Sequence, residues 1–296
     1  MHILMTGGTG LIGTATCVAL YAAGHKVTIL TRRGRPATDN VTYVTALEDC
    51  VEPVDAVINL AGAGLADRRW SEAYKRQIVS SRVDLTLKLV AWLGELEYIP
   101  KRLISASAIG YYGAAAEQIF AEDGAPGAGF AAKLCQSWEN GAAKATAYGT
   151  RVSLLRFGVV LAREGGALRK MTQSFRLGVE SWLGSGEQWL SWIHLADAVR
   201  VIQHVLDYDR PAAVYNTVAP EPARHRELAH EAGRQSNTWM KLSVPAFAAR
   251  VMAGEMAEEL LLSGQRVLPA QLLEDGFQFH YPNLKEALAD LMPRKR

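Results

Sequence analysis

The chain of 296 residues is predicted to be an α/β protein: a doubly wound, mostly parallel sheet with a smaller, discontinuous C-terminal lobe. Three observations predict it. Short runs of apolar and β-branched residues alternate with helical periods from the first residues onward. A glycine-rich turn joins the first such run to the first helical period. The alternation continues for four or five repeats and fades beyond Leu161.

Residues 2–6 read as the first strand and 7–13 as the turn. Residues 11–23 read as a helix stopped by Gly24, and 26–30 (Lys-Val-Thr-Ile-Leu) as a second strand completing a βαβ unit. Further strands are expected at 41–44 and 54–60, the latter nearly all apolar, as a strand buried on both faces should be. A long amphipathic helix begins at Ser71 and runs through Ile78, Leu85, Leu89 and Leu93 to about Leu96. Strand 102–107, helix 131–147 and strand 151–157 come next, and 213–218 returns as a late strand. The expected division is therefore 1–164 together with 191–219 as the dinucleotide-type domain, and 165–190 with 220–296 as the smaller lobe.

Apolar residues make up 49% and charged residues 21%, which excludes disordered, collagenous and disulfide-rich classes. The formal net charge is +2 with dispersed basic residues, so no stripe points to nucleic acid or an anionic membrane. The one basic cluster, Pro293-Arg294-Lys295-Arg296, reads as a solvated terminus. Cys17, Cys50 and Cys135 are odd in number and lack metal-ligand spacing, which predicts a reducing compartment and neither disulfide framework nor zinc. No signal-like segment and no run of ~18 apolar residues occurs, so a cytoplasmic protein with a small-molecule substrate is expected.

The stretch Met5-Thr6-Gly7-Gly8-Thr9-Gly10-Leu11-Ile12-Gly13 carries the strongest functional signal. Gly7 permits a sharp turn, Gly10 lets backbone amides approach a pyrophosphate, and Gly13 lets the helix pack against the sheet. The positive helix end then faces the phosphates. This is a Rossmann-type arrangement, and Gly7, Thr9, Gly10, Leu11, Ile12 and Gly13 are cofactor-binding candidates; a merely structural tight turn is the alternative. At the end of the second strand, where an NAD site places an acidic residue, stand Thr31-Arg32-Arg33. A guanidinium pairs with a 2′-phosphate that a carboxylate would repel, so Arg32, with Thr31 beside it, predicts NADP(H) over NAD. Solvated loop arginines are the other reading.

The chain resembles the extended short-chain dehydrogenase/reductases, which include nucleotide-sugar epimerases and dehydratases. The resemblance rests on Gly7-x-x-Gly10-x-x-Gly13, Asn59-Leu60-Ala61-Gly62, Ser105-Ala106-Ser107, Tyr111-Tyr112-Gly113 and Trp192-Ile193-His194-Leu195-Ala196-Asp197. More narrowly, it is similar to the atypical epimerase-like branch with a C-terminal lobe of unknown function. Here Arg69-Trp70, Trp138-Glu139, Arg156-x-Gly158-Val159-Val160-Leu161 and Gly264-Gln265-Arg266-Val267-Leu268-Pro269 carry the match. The resemblance implies that Leu60 and Ala61 line the adenosine and nicotinamide-ribose path and that Arg82 and Val160 also touch the cofactor. Gly62 joins them as a residue at a carboxyl strand end, where ligands of such sheets bind. For Arg82, a surface helix arginine is the default physical reading.

The superfamily's usual catalytic set is a Ser or Thr after the fifth strand with Tyr-x-x-x-Lys on the next helix, whose phenolate exchanges a proton with the substrate. Lys133 stands where that lysine would fall, but Gly129 occupies the tyrosine position. Tyr281-x-x-x-Lys285 lies near the C-terminus and reads as chance. Ser107 is a candidate to hold a substrate oxygen, and Tyr111 or Tyr112 to supply a phenol. Each tyrosine also reads as a half-buried aromatic, and Lys133 as a surface residue.

Other groups are open. Arg68-Arg69-Trp70 could grip an anion or simply open a helix; His194 and Asp197 read as structural; Trp182, Trp189 and Trp192 fit a pocket floor or a core equally. His225, Glu227, His230 and Glu231 lack metal spacing. Two functions remain: an NADP(H)-dependent oxidoreductase, epimerase or dehydratase acting on a small hydroxy or keto compound, sugar nucleotides included, or a non-catalytic NADPH-binding module acting through a protein partner.

Overall fold

The computed structural model describes residues 1–38, 41–115 and 117–292, so the basic tail cluster lies outside the described residues. The first half follows the expected alternation: β1 (His2–Thr6), α1 (Leu11–Ala22), β2 (Lys26–Leu30), β3 (Val41–Val44), β4 (Ala56–Asn59), α2 (Glu72–Val79), α3 (Leu85–Glu95), β5 (Arg102–Ala108), β6 (Ile119–Phe120), α4 (Phe130–Ala143) and β7 (Arg151–Phe157). Then come β8 (Val159–Leu161), α5 (Gly166–Met171), β9 (Val179–Leu183), β10 (Trp189–Leu190), β11 (Trp192–His194), α6 (Leu195–Asp207) and β12 (Val214–Thr217). The remainder is β13 (Ala223–Arg224), α7 (His225–Gln235), β14 (Met240–Val244), α8 (Ala246–Ala253), β15 (Arg266–Val267), α9 (Ala270–Glu274) and α10 (Leu284–Leu291).

Seven strands form one parallel sheet in the order β12-β7-β5-β4-β1-β2-β3. The winding reverses direction between β1 and β4, and ligands of open parallel sheets bind outside the carboxyl ends at such a reversal. Alternation along β1 sorts its side chains into two cores. Ile3 and Met5 pack with Cys17 and Leu20 of α1 and Val201 and Val205 of α6. Leu4, pointing the other way, packs with Leu89 and Leu93 of α3 and Ala142 of α4. The sheet is thus covered on both faces, as its apolar strands require.

Two local readings are corrected. The long helix expected from Ser71 is α2 and α3 joined by a single π turn at Ser80–Asp84; Ser71 Oγ caps its start by accepting from Tyr74 N at 3.2 Å. A π turn inserts a residue and rotates the helix face beyond it, a frequent device at functional sites. The helix expected to reach 147 ends at Ala143 and tightens into a 3-10 turn, Lys144–Tyr148, closed by the left-handed Gly149 (φ +83°).

Outside the main sheet, four strand pairs tie distant segments together: β8 with β11, β9 with β14, β10 with β13 and β6 with β15. The end of the chain returns to the first core. The fully buried Asp197 carboxylate accepts from His280 N at 2.9 Å and Tyr281 N at 2.8 Å, and Leu272 and Phe277 join the cluster that holds Ile3. Among the described residues no helix is long and apolar enough to cross a membrane.

Candidate active site

The turn after β1 is built by close approach. A Cβ on Gly7 (φ +70°) would sit 2.5 Å from the Leu60 carbonyl, and one on Gly13 would sit 2.2 Å from Gly7 O. Only glycine lets β1, β4 and α1 meet there. Gly10 is different: a Cβ would meet nothing nearer than Gly7 O at 3.3 Å, and Thr9 and Gly10 are exposed. No side chain caps α1, and its first turn has no acidic residue. The resulting cradle of free space, amides and positive helix end fits the phosphates of a dinucleotide. Arg32 stands exposed beyond β2, and Thr31 N bonds to Val44 O at 2.9 Å, fixing the strand end beside the turn.

Next to the cradle, along the carboxyl ends of the sheet, lies a cavity of about 700 Å³. Of the predicted cofactor residues, Ile12, Leu60, Ala61, Gly62, Arg82 and Val160 line it. Gly7, Thr9, Gly10, Leu11, Gly13, Thr31 and Arg32 do not; they make up the neighbouring turn and strand end. The strand ends are held by a buried polar chain. Thr6 Oγ1 donates to Asn59 Oδ1 at 2.6 Å, and Asn59 Nδ2 donates to Thr86 Oγ1 and Ser105 Oγ at 2.8 and 3.1 Å. Trp138 Nε1 also donates to Thr86 Oγ1, at 3.0 Å, locking α4 against α3.

The π turn gives Arg82 its position. It is only 9% exposed, lies 5.3 Å over the Trp138 ring, and would collide at 2.7 Å with any Cβ on Gly62. Burial lowers its pKa. The default of a surface arginine is therefore corrected: Arg82 is an inward-facing cation on the cavity wall.

Of the four catalytic candidates, the structure brings only Ser107 to the cavity. Its Oγ donates to Glu139 Oε1 at 2.6 Å. Arg156 holds that carboxylate with Nε to Oε1 and Nη2 to Oε2, both at 2.9 Å, and all three residues are buried. Burial alone would lower the Arg156 pKa, but the Glu139 bonds outweigh it and raise it. Removing one member of such a pair would strand a buried charge.

The tyrosine and lysine expectations are corrected. Tyr112 is buried; its single O–H faces two acceptors, Asn216 Oδ1 at 2.7 Å and Ala121 O at 2.9 Å, and its oxygen accepts from Arg156 Nη1 at 2.9 Å. The Arg156 guanidinium stacks 3.5 Å from the Tyr111 ring centroid. Both rings pack around a buried cation, and neither lines the cavity. Lys133 projects from the exposed face of α4, while Ala131, Leu134, Cys135 and Trp138 form its cavity face.

The missing tyrosine has a physical reason. Gly129 takes φ +100°, and a Cβ there would lie 2.8 Å from Glu259 Oε1. Glu259 reaches in from the C-terminal segment and accepts from Phe130 N and Ala131 N, each at 2.8 Å, so its carboxylate caps α4. Glu259 lines the cavity. Cys135, one turn further along α4, is also a liner; burial pushes its pKa up to about 11, so it remains a thiol.

The other groups sort by packing. Trp70 donates to Leu65 O at 2.9 Å and sits in a core with Tyr74 and Ala257; neither it nor Arg68 or Arg69 lines the cavity. His194 Nδ1 accepts from Ala196 N at 3.0 Å, and its ring stacks 3.8 Å from Tyr281. Trp182 and Trp189 line the cavity, and Trp192 is core. His230 pairs with Glu180, whereas His225 lines the cavity with Nδ1 buried and unpartnered. Among the described residues no three potential ligands gather to hold a metal. Sequence reasoning gave no role to Glu139, Arg156, His225 or Glu259. A charged residue inside the strand Leu154-Leu155-Arg156-Phe157 was the one available signal, because a buried arginine needs a partner.

Comparison with known proteins agrees with this architecture. The model of the NAD dependent epimerase/dehydratase family matches residues 3–217, and that of a domain of unknown function (DUF1731) matches residues 244–291. Epimerase family protein Mb2239 of Mycobacterium bovis is 39% identical over 291 residues, covering 97% of this chain and 96% of that one. Human epimerase family protein SDR39U1 is 33% identical over 296 residues, covering 99% of this chain and 100% of its own. The crystal structure of human SDR39U1 (isoform2) with NADPH covers 100% of both chains with a TM-score of 0.91 and 30% identity. Family match, relatives and fold agree: the chain belongs to the NAD dependent epimerase/dehydratase family, in the branch that carries this C-terminal domain.

Proposed function

We propose that this protein binds NADP(H) and acts as an oxidoreductase, epimerase or dehydratase on a small hydroxy or keto compound, with Ser107 and Glu139 in place of the usual tyrosine and lysine. The carrying observation is the 2.6 Å bond from Ser107 Oγ, on the cavity wall, to a buried carboxylate held behind it by Arg156. The open cradle at Gly10, the uncapped α1 and the exposed Arg32 support the cofactor, as does the NADPH in the human relative. When bound, NADP(H) would supply hydride transfer.

The residues of this chain do the rest. Gly7, Thr9, Gly10, Leu11, Ile12 and Gly13 hold the phosphates, Thr31 and Arg32 the 2′-phosphate, and Leu60, Ala61, Gly62, Arg82 and Val160 the path into the cavity. With its proton committed to Glu139, Ser107 Oγ turns lone pairs outward and accepts from a substrate hydroxyl. Glu139, fixed by Arg156, holds Ser107 in the orientation that meets the substrate hydroxyl. The three free cysteines fit a cytoplasmic setting, and the proposed partner is the small substrate alone.

A second reading, the non-catalytic module, is favoured by one observation: Trp239, in the loop before β14, and Phe247, Val251 and Met252 on α8 are exposed. Turnover separates the two. A carbonyl and alcohol panel is assayed with NADPH or NADP+ for wild type, Ser107→Ala and Glu139→Gln. We expect substrate-dependent turnover, reduced about a hundredfold by Ser107→Ala with cofactor affinity unchanged. Full activity of Ser107→Ala sinks the assignment; no turnover with any compound favours the module.

A further inference from the structure

The cavity wall beyond Ser107 is apolar, built by Leu134, Trp182, Leu183, Met256, Leu260 and Leu261. We infer that the substrate is a compact, predominantly apolar alcohol or ketone and not a sugar nucleotide. The inference rests on the reading of this cavity as the catalytic site.

A sugar nucleotide brings a diphosphate and a ring of hydroxyls, and each needs partners once out of water. The cationic liners are Arg82 and Lys170. Lys170 Nζ places two of its three donors on Asp67 Oδ1 at 2.8 Å and Ala66 O at 3.0 Å, so its charge is already paired with a carboxylate. Arg82 lies against Gly62 and Trp138, on the side where the cofactor path enters. Arg224 and Arg266 stack on the Trp189 ring at 3.6 and 4.7 Å, and neither lines the cavity. Glu259 contributes a carboxylate that would repel an anion.

The wall hydroxyls are committed as well. Ser181 Oγ pairs with Ser174 Oγ at 2.8 Å; Ser191 Oγ donates to Gln265 O at 2.8 Å and accepts from Val267 N at 2.9 Å; Ser263 Oγ donates to Glu258 O at 2.5 Å. Among the described cavity-lining side chains, His225 has a buried ring nitrogen, Nδ1, without a partner, and burial lowers the pKa of this imidazole. Apart from Arg82, Lys170 and Glu259, the site thus offers an anchor at Ser107, hydrogen-bonding side chains at His225 and Gln265, and apolar surface between. An apolar skeleton with its reacting oxygen at Ser107 and one or two further polar groups matches it. A diphosphate would lose its hydration and gain a carboxylate neighbour.

The test uses the full chain saturated with NADPH or NADP+, after cofactor affinity has been measured alone. Acetophenone, benzaldehyde, menthone and their alcohols are titrated calorimetrically alongside UDP-glucose and UDP-glucuronic acid. We expect at least one apolar compound to bind ten times or more as tightly as either sugar nucleotide, about the resolution of such a comparison. Leu261→Lys should weaken that binding about tenfold and Leu261→Ala less, with NADPH affinity unchanged in both. Tighter binding of either sugar nucleotide, or no binding by any apolar compound, overturns the inference. Failure to bind NADPH would instead remove the functional proposal beneath it, so the two failures are told apart.

Discussion

Helices α1 and α4 both begin behind a glycine, and each places a first-turn residue, Ile12 or Ala131, on the same cavity wall. Their starts are nonetheless opposites. The start of α1 has no side-chain cap and no acidic residue, and the space above Gly10 is open. At α4 the amides of Phe130 and Ala131 are filled by the Glu259 carboxylate, which comes from 129 positions beyond Phe130. A helix start is an anion site by default, and the rest of the chain decides whether the protein supplies the anion itself. One glycine leaves room for a ligand; the other leaves room for a protein side chain.

Substitutions at the two starts should separate these roles. Gly13→Val has the largest expected effect: its side chain must enter space held by Gly7 O at 2.2 Å, so α1 is pushed from the sheet. A loss of about 3 kcal/mol in denaturant stability and of measurable NADPH binding is expected. Retained binding would refute the cradle.

Glu259→Ala comes next. Two charge-assisted bonds to α4 disappear, with an expected loss of about 2 kcal/mol and a smaller loss for Glu259→Gln, while NADPH affinity stays within twofold. A large drop in NADPH affinity would show that the two helix starts are coupled. Arg32→Ala should leave stability unchanged and reduce the preference for NADPH over NADH about tenfold, as removal of one charged hydrogen-bond partner would. An unchanged preference places the 2′-phosphate contact elsewhere.

A third start sharpens the comparison through pH. At α6 the cap is a neutral imidazole: His194 Nδ1 accepts from Ala196 N, and burial lowers the His194 pKa below its ordinary value. Between that lowered value and about 6.5 the unfolded chain binds more protons than the folded one, so stability rises with pH in this window and is lost on acidification through it. The melting temperature should therefore fall between about pH 7 and pH 5.5, less steeply in His194→Asn, which keeps a cap that does not titrate. Equal slopes for both proteins would clear His194 of the role.

These contrasts also mark what is legible in the sequence. The strands β1, β2 and β4 and the glycine turn are legible because each is set by its own few residues, where period and glycine spacing act directly. Arg82 is hidden from a pattern-based reading because one inserted residue in the π turn rotates the helix face, and a 3.6-residue period conceals such a step. Tyr111 and Tyr112 read locally as phenols at a loop, but their surroundings are set by Arg156 on a different strand. Gly129 announces the loss of tyrosine without naming its replacement, since nothing local encodes that Glu259 will arrive there.

The docking of the chain end on Asp197 carries a consequence for how the fold is reached. Leu272 and Phe277 complete the cluster that contains Ile3, while Leu284, Leu288 and Leu291 complete the one that contains Trp192. Contacts between the first strand and these residues span nearly the whole sequence, so their loop-closure entropy must be met before packing can offset it. The cluster around β1 is therefore completed only when the distant segment around α9 docks, a step that lags the nearer pairing of β1 with β2.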